Sequence, residues 1–189
     1  MEREVIWVPW VGPGLEHLRL VLEEGGSVAD GLIVGMDRQR AFRARYEIRC
    51  DPRWRVREVH VAGPGSDQPA VELFADGDGS WTTRRGDAVP ELEGCVDVDI
   101  SVTPFTNTLP IRRLGLGPGE SAELAVAYVD VPELRVGPER QRYECLETHP
   151  NGWLYRFEAL PSGFTAEIPV DADGLVVDYP GLFRRAWSG

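Results

Sequence analysis

Two carboxylates and the threonine-rich insert behind them are the residues of this sequence best suited to chemistry. They lie in "DVDISVTPFTNTLPIRRL", residues 97–114. Asp97 and Asp99 stand at i and i+2, so on a strand they share one face with backbones ~6.6 Å apart, given a rise of ~3.3 Å per residue. That is close to the ~6.5–9.5 Å carboxyl separation of inverting glycoside hydrolases. Acid–base work would also require burial to raise one of the two pKa values. The simpler alternative is that both meet arginines of a neighbouring segment, such as Arg55, Arg57, Arg112 or Arg113. Val98, Ile100 and Val102 form the opposite, apolar face of the same strand.

The strand then stops at "TPFTNTLP". Thr103 is a good N-cap and Pro104 a good first helical residue. Phe105, Leu109 and Ile111 can then point to one side, and Gly115 can end the turn. Pro110 forbids a long regular helix and predicts a kink or two short turns. The expectation is a short plug or lid across one end of a β-barrel. Its apolar residues would face a cavity, and Thr106, Asn107 and Thr108 would offer hydrogen bonds to a sugar or head group. The plainer alternative is a cap that holds nothing and shields the core.

Other motifs carry less. Cys50, Cys95 and Cys145 are widely spaced and odd in number, which argues against a disulfide scaffold or a structural zinc site and favours small buried hydrophobes. His17, His60 and His149 have no metal-ligand spacing. "GLGPGE" lacks the strand–helix setting of a phosphate loop, and "DGDGS" and "DADG" lack the glycine position and helices of a calcium loop, so all three read as turns. No cofactor is expected. The net charge of −11, with all twenty basic residues arginine, argues against nucleic acid as a partner.

Period-two patterning positions these residues. "AFRARYEIRC" sets Phe42, Ala44, Tyr46, Ile48 and Cys50 on one face and Arg43, Arg45 and Arg49 on the other. The arginine face reads as solvated; alternatively, part of it lines a polar barrel mouth where guanidinium forks grip hydroxyl, carboxylate or phosphate groups. "SAELAVAYVD", "WLYRFEAL" and "FTAEIPV" alternate likewise. "GLEHLRLVLEE" fits a strand with Leu18, Leu20 and Leu22 inward better than a helix. About a dozen strands, separated by turns such as "EEGG", "AGPGSD", "ADGDGS", "HPNG", "PSG" and "DADG", predict an all-β, mostly antiparallel barrel or pair of half-barrels. A short helical segment falls near 104–114, and "PGLFRRAW" is expected to form one helical turn.

"LIVGMDRQR" from Leu32 and "LRVGPERQR" from Leu134 share L-x-V-G-x-x-R-Q-R, each followed by a D-x-D-G turn. A single domain over 1–189, with possible duplicated halves of about 1–95 and 96–189, accommodates this. No apolar run reaches the ~18 residues of a membrane span, and "MEREVIWVPW" does not resemble a signal peptide. A cytoplasmic location is therefore expected.

Taken together, "CDPRWRVREVHV", "GCVDVDISVTPFTNTLPIRRL" and "GLVVDYPGLFRR" resemble a bacterial glycolipid-binding protein family, over essentially the whole chain from "GLEHL" to "LFRR". The resemblance implies a barrel-like fold similar to bacterial lipoprotein carriers, with a cavity suited to an amphipathic ligand that is bound and not transformed. The alternative is a sugar- or lipid-processing enzyme using Asp97 and Asp99. Candidate polar contacts are Arg55, Asp97, Asp99, Thr103, Asn107, Thr108, Arg112 and Arg113. Trp54, Phe105 and Tyr155 are candidate lining residues. The partner implied is a glycolipid or fatty-acyl compound; the oligomeric state is left open.

Overall fold

The structure is a computed structural model, and it describes residues 1–63, 71–160 and 162–189. The chain opens with seven strands: β1 (Glu2–Pro9), β2 (Leu15–Glu23), β3 (Gly26–Asp37), β4 (Arg40–Cys50), β5 (Val56–Ala62), β6 (Val71–Ala75) and β7 (Trp81–Thr83). There follow β8 (Cys95–Ile100), a 3-10 turn at Phe105–Asn107 and the helix α1 (Thr108–Leu114). Then come β9 (Ser121–Asp130), β10 (Arg135–His149), β11 (Gly152–Ala159), β12 (Phe164–Asp171), β13 (Asp178–Tyr179) and β14 (Phe183–Ser188).

The strands form a nine-stranded sheet, ordered β13-β14-β1-β2-β3-β4-β5-β6-β7, and a five-stranded sheet, ordered β12-β11-β10-β9-β8. All pairings within these sheets are antiparallel except β8 with β9. That exception follows from the insert, because a parallel pair needs a crossover connection, and residues 101–120 supply it. The sheets do not close into one hydrogen-bonded barrel. They are tied where residues 175–177 leave β12: Val177 N donates to Pro169 O (2.8 Å), and Trp7 Nε1, from the large sheet, donates to Val176 O (2.8 Å).

Alternation fixes the inward face of the large sheet: Val5 and Trp7, Leu18 and Leu20, Ala44, Tyr46 and Ile48, and Val59 and Val61 are all buried. β8 and the middle of β9 bury both faces. Val98, Ile100, Ala127 and Val129 join the main core, and Asp97 and Val126, on the other face, are buried too. A second core gathers Tyr143, Cys145, Tyr155, Phe157, Ile168 and Tyr179 around Ile111.

The turns use one recurring device. Asp51, Asp76 and Asp171 each accept, through Oδ1, the backbone N–H groups two and four residues on: Arg53 and Arg55, Asp78 and Ser80, Asp173 and Leu175. An aspartate that holds its own loop in this way explains the D-x-D-G turns without a cation. The "AGPGSD" turn lies largely, and "PSG" in part, outside the described residues. "LIVGMDRQR" spans the β3–β4 hairpin, and "LRVGPERQR" leads into and opens β10.

The closing segment corrects one expectation. "PGLFRRAW" turns at Pro180–Leu182 and then runs as a strand, with Phe183 opposite Pro9 and Ser188 opposite Val5. Without β14, β1 would be left with a row of unpaired backbone groups, and that pairing outweighs the weak helical signal.

From Thr103 to Ile111 every residue is buried. Phe105 stacks on Tyr46, with centroids 6.1 Å apart and planes at 13°, and Leu109 joins the same core. The insert therefore plugs the space between the sheets. Phe105→Ala should lower the unfolding free energy by about 3–5 kcal/mol, read from the chemical denaturation midpoint; a loss below about 1 kcal/mol would show that the ring is not an anchor.

Candidate ligand cleft and the network beneath it

β3 and β4 have 12 and 11 residues, and their hairpin projects at one end of the molecule. Together with the β1–β2 loop and the β9–β10 turn it frames a cleft of about 860 Å³. Val34, Met36, Ala41, Phe42, Val131, Pro132 and Leu134 supply apolar walls, and Arg40 and Arg43 line it as well. Deep concave sites of ~300–1,000 Å³ are the usual size for small ligands.

An annex of about 260 Å³ adjoins the cleft and shares Pro13, Gly14, Val34, Gly35, Met36, Asp37, Phe42 and Val131 with it. Trp7, Ile33, Val102 and Phe183 line the annex further, with Glu16 and Ser101. Val11, Leu15, Val34, Met36 and Leu182 line it and are also exposed to solvent. A cluster of large apolar side chains left in water at a cavity mouth marks a binding surface.

Arg43 stands apart from the arginine ladder. Arg45 pairs with Asp30 (2.7 Å), Arg49 with Glu47 (2.7 Å) and Arg57 with Asp51 (3.0 Å), and Arg55 contacts Asp78. Among the described residues Arg43 and Arg40 have no such partner, and both line the cleft.

Glu16 carries the most unusual electrostatics. It is 2% exposed, on the inward face of β2 with Leu18 and Leu20. Tyr46 OH donates to its Oε1 at 2.5 Å and Thr103 Oγ1 at 2.7 Å, while Oε2 is buried with no partner. Burial pushes the Glu16 carboxyl up to about 7, against the two hydroxyl donors that pull it down. Gly31 makes room for this arrangement, because a Cβ there would fall 2.1 Å from the Tyr46 ring. Glu16 is not among the residues the sequence singles out. Its signal is parity: an acid at the first position of the inward series Glu16, Leu18, Leu20, Leu22.

Of the arginine face, Arg43 lines the cleft, whereas none of the candidate contact and lining residues from Trp54 to Tyr155 lines it or the annex. Arg113 grips Asp97 from two nitrogens, Nε to Oδ1 at 3.0 Å and Nη2 to Oδ2 at 2.6 Å, and Asp97 is fully buried. Asp99 accepts from Thr106 Oγ1 (2.7 Å) and Gln141 Nε2 (2.6 Å). Burial raises the pKa of both carboxyls; Arg113 opposes this at Asp97, and Thr106 and Gln141 oppose it at Asp99. An acid–base pair would need two carboxylates bordering open space without arginine partners, and Asp97 does not meet that condition.

The other candidates are also engaged within the protein. Asn107 Nδ2 donates to Tyr143 OH (2.8 Å), Thr108 Oγ1 to Gly174 O (2.9 Å) and Tyr155 OH to Leu116 O (3.2 Å). The Arg112 guanidinium lies 5.1 Å from the Trp54 ring centre. Thr103 alone touches the annex indirectly, through Glu16. The three cysteines are buried, and burial pushes the Cys50 thiol up to about 12 and Cys95 to about 11, so neither supplies a thiolate near neutral pH. Among the described residues, no group of three or more His, Cys, Asp or Glu could hold a metal ion, and no helix is long and apolar enough to cross a membrane.

A model of the family described as "Putative glycolipid-binding" matches residues 4–185. The chain belongs to this glycolipid-binding family. It is similar to a DUF1089 family protein from Pseudomonas aeruginosa of known crystal structure, at 38% identity over 93% of this chain and 95% of the other, with a TM-score of 0.80. Among curated proteins none matches. The match to a glycolipid-binding family suits an apolar-rimmed cleft.

Glu16 gives a pH dependence with a defined sign. Its folded pKa lies above that of the unfolded chain, so the folded state holds the proton more tightly. This stabilisation is complete below about pH 4.5 and is lost as pH rises to about 7. Glu16→Gln should therefore gain stability relative to the parent between pH 5 and 8, by about 2–3 kcal/mol. Paired urea melts at the two pH values measure this, and parallel curves for the two proteins would show that Glu16 is ionised throughout.

Proposed function

We propose that this protein binds an amphipathic, glycolipid-like molecule at the hairpin-framed cleft and does not transform it. The observation that carries the reading is the pairing, in one concavity, of an exposed apolar rim with two arginines that have no acidic partner among the described residues. A hydrocarbon chain laid against Val34, Met36 and Leu182 leaves water at ~0.8 kcal/mol per methylene, so about ten methylenes give about 8 kcal/mol before the costs of ordering and association. The guanidinium groups of Arg40 and Arg43 suit the hydroxyl, carboxylate or phosphate groups of the polar end. Membership of the glycolipid-binding family supports the same ligand class.

The segment Thr103–Arg113 then serves as a support for the site without lining it. Its polar groups hold the two sheets at a fixed separation, and the cleft is the space left at one end.

Native mass spectrometry of protein purified without detergent should show a co-purifying lipid, and dodecanoic acid should displace a fluorescent fatty probe. The double variant Arg40→Ala/Arg43→Ala should weaken dodecanoate binding about tenfold, as expected for loss of charge-assisted hydrogen bonds partly screened by water. Met36→Glu on the rim should weaken it by a similar factor. A clean apo mass combined with no probe uptake would overturn the reading.

A further inference from the structure

The annex differs chemically from the cleft, and the difference specifies part of the ligand. No arginine, lysine or histidine lines it. A carboxylate or phosphate there would face the Glu16 carboxyl without a counter-charge, so an acidic head group belongs in the cleft beside Arg40 and Arg43. The annex walls of Trp7, Ile33, Phe42, Val102, Val131 and Phe183 suit hydrocarbon.

Glu16 nevertheless sits among them with one oxygen saturated and one bare. Oε1 takes both available donors, Tyr46 OH and Thr103 Oγ1, and Oε2 takes none. Leaving a buried acceptor unpaired costs about 1–3 kcal/mol, and more when it is charged, so native interiors almost always fill such positions. Glu16 lines the annex, and because Oε2 itself is buried, a donor reaches it from there only by displacing the side chains that cover it.

We infer that the annex is a second subsite, resting on the cleft reading above, in which the hydrocarbon portion of the ligand carries a hydroxyl that donates to Glu16 Oε2. A hydroxyl fits better than an ammonium group. An ammonium brings three donors, and apart from Glu16 and the rim residue Asp37 the only side-chain oxygen lining the annex is Ser101 Oγ, which already accepts from Val131 N at 3.0 Å. Without an acceptor at this depth, a chain hydroxyl would weaken binding, because it would lose its water and gain nothing.

The test uses dodecanoic acid and two matched sets of derivatives, one with a hydroxyl and one with a methoxy group at mid-chain or at the chain end. Binding is measured calorimetrically at about pH 8.5, where Glu16 is ionised and can only accept. The best hydroxy acid should bind about tenfold tighter than its methoxy counterpart, the value of one hydrogen bond to a charged acceptor. In Glu16→Gln the amide NH₂ can donate to either oxygen, so the ratio should shrink to within about twofold.

Equal affinities for hydroxy and methoxy acids, or a ratio that survives in Glu16→Gln, would overturn the subsite while leaving the cleft reading intact if dodecanoate itself binds. Equal affinities would mean that Oε2 stays buried and out of the ligand's reach. Failure of every probe to bind would remove the cleft reading and the subsite together. If Glu16→Gln does not fold, the carboxyl carbon resonance of Glu16 in the parent protein decides: it should move with the hydroxy acid and stay in place with the methoxy acid, and an unmoved signal with both overturns the subsite.

Discussion

A run of nine buried residues that includes three threonines and an asparagine can exist between two apolar sheets only if every polar group finds a partner. The partners come from different elements. Thr103 reaches Glu16 on β2, Thr106 reaches Asp99 on β8, Asn107 reaches Tyr143 on β10, and Thr108 reaches the carbonyl of Gly174 in the turn after β12. Arg113 adds the bond to Asp97. Each bond is modest alone, but each fixes the insert against a separate strand or turn. Gly174 shows how close the approach is: at φ 79° its Cβ would fall 2.9 Å from the Arg112 side chain. Besides this segment, the two sheets are joined by Trp81 Nε1 of β7 donating to Cys95 O of β8 (2.6 Å) and by the strand-to-strand passage at residues 175–177.

Filling the middle determines where a ligand can go. Phe105, Leu109 and Tyr46 close the centre, and the cleft and annex lie where strands outrun the plug. That happens at the β3–β4 hairpin, whose long arms carry apolar residues past the core. Val34 and Met36 are exposed there, with no strand or plug residue covering them among the described residues. The same projection carries Arg43 beyond the acids that pair with Arg45 and Arg49 nearer the centre of the sheet. The apolar rim and the two arginines without an ion pair among the described residues thus share one geometric origin.

Local pattern carried much of this in the sequence. Alternation in "AFRARYEIRC" matches the inward and outward faces of β4 residue for residue, because a half-buried antiparallel strand has no other way to sort its side chains. Gly115, in the left-handed conformation at φ 58°, ends α1 as its position after Leu114 implies. What failed was inference across faces. Asp97 and Asp99 occupy what alternation marks as a polar face, yet β8 is covered on both sides, and nothing within residues 97–102 reports the second covering layer. Thr106, Asn107 and Thr108 read as free hydrogen-bonding groups for the same reason: their partners lie up to 66 residues away. The role of "PGLFRRAW" depended on an equally distant partner, the open edge of β1. Glu16 was legible in principle, since a lone acid in an inward series is costly and therefore informative, but its meaning needed Tyr46, Thr103 and the annex together.

The overall charge decides what kind of encounter the cleft favours. At −11 the protein as a whole is repelled by an anionic bilayer surface, whose attraction acts on basic clusters and fades within a Debye length. The two arginines of the mouth are too few to reverse that field at a distance, and Asp37 and Glu133 line the same cleft, although neither forms an ion pair with them among the described residues. On the proposed function, an acidic amphiphile would meet little attraction until it enters, and would then meet two guanidinium groups, an apolar wall and, deeper, Glu16. On the proposed function, such an arrangement would favour isolated molecules over an anionic membrane surface, through the net charge of the whole protein and not through the size of the apolar surface.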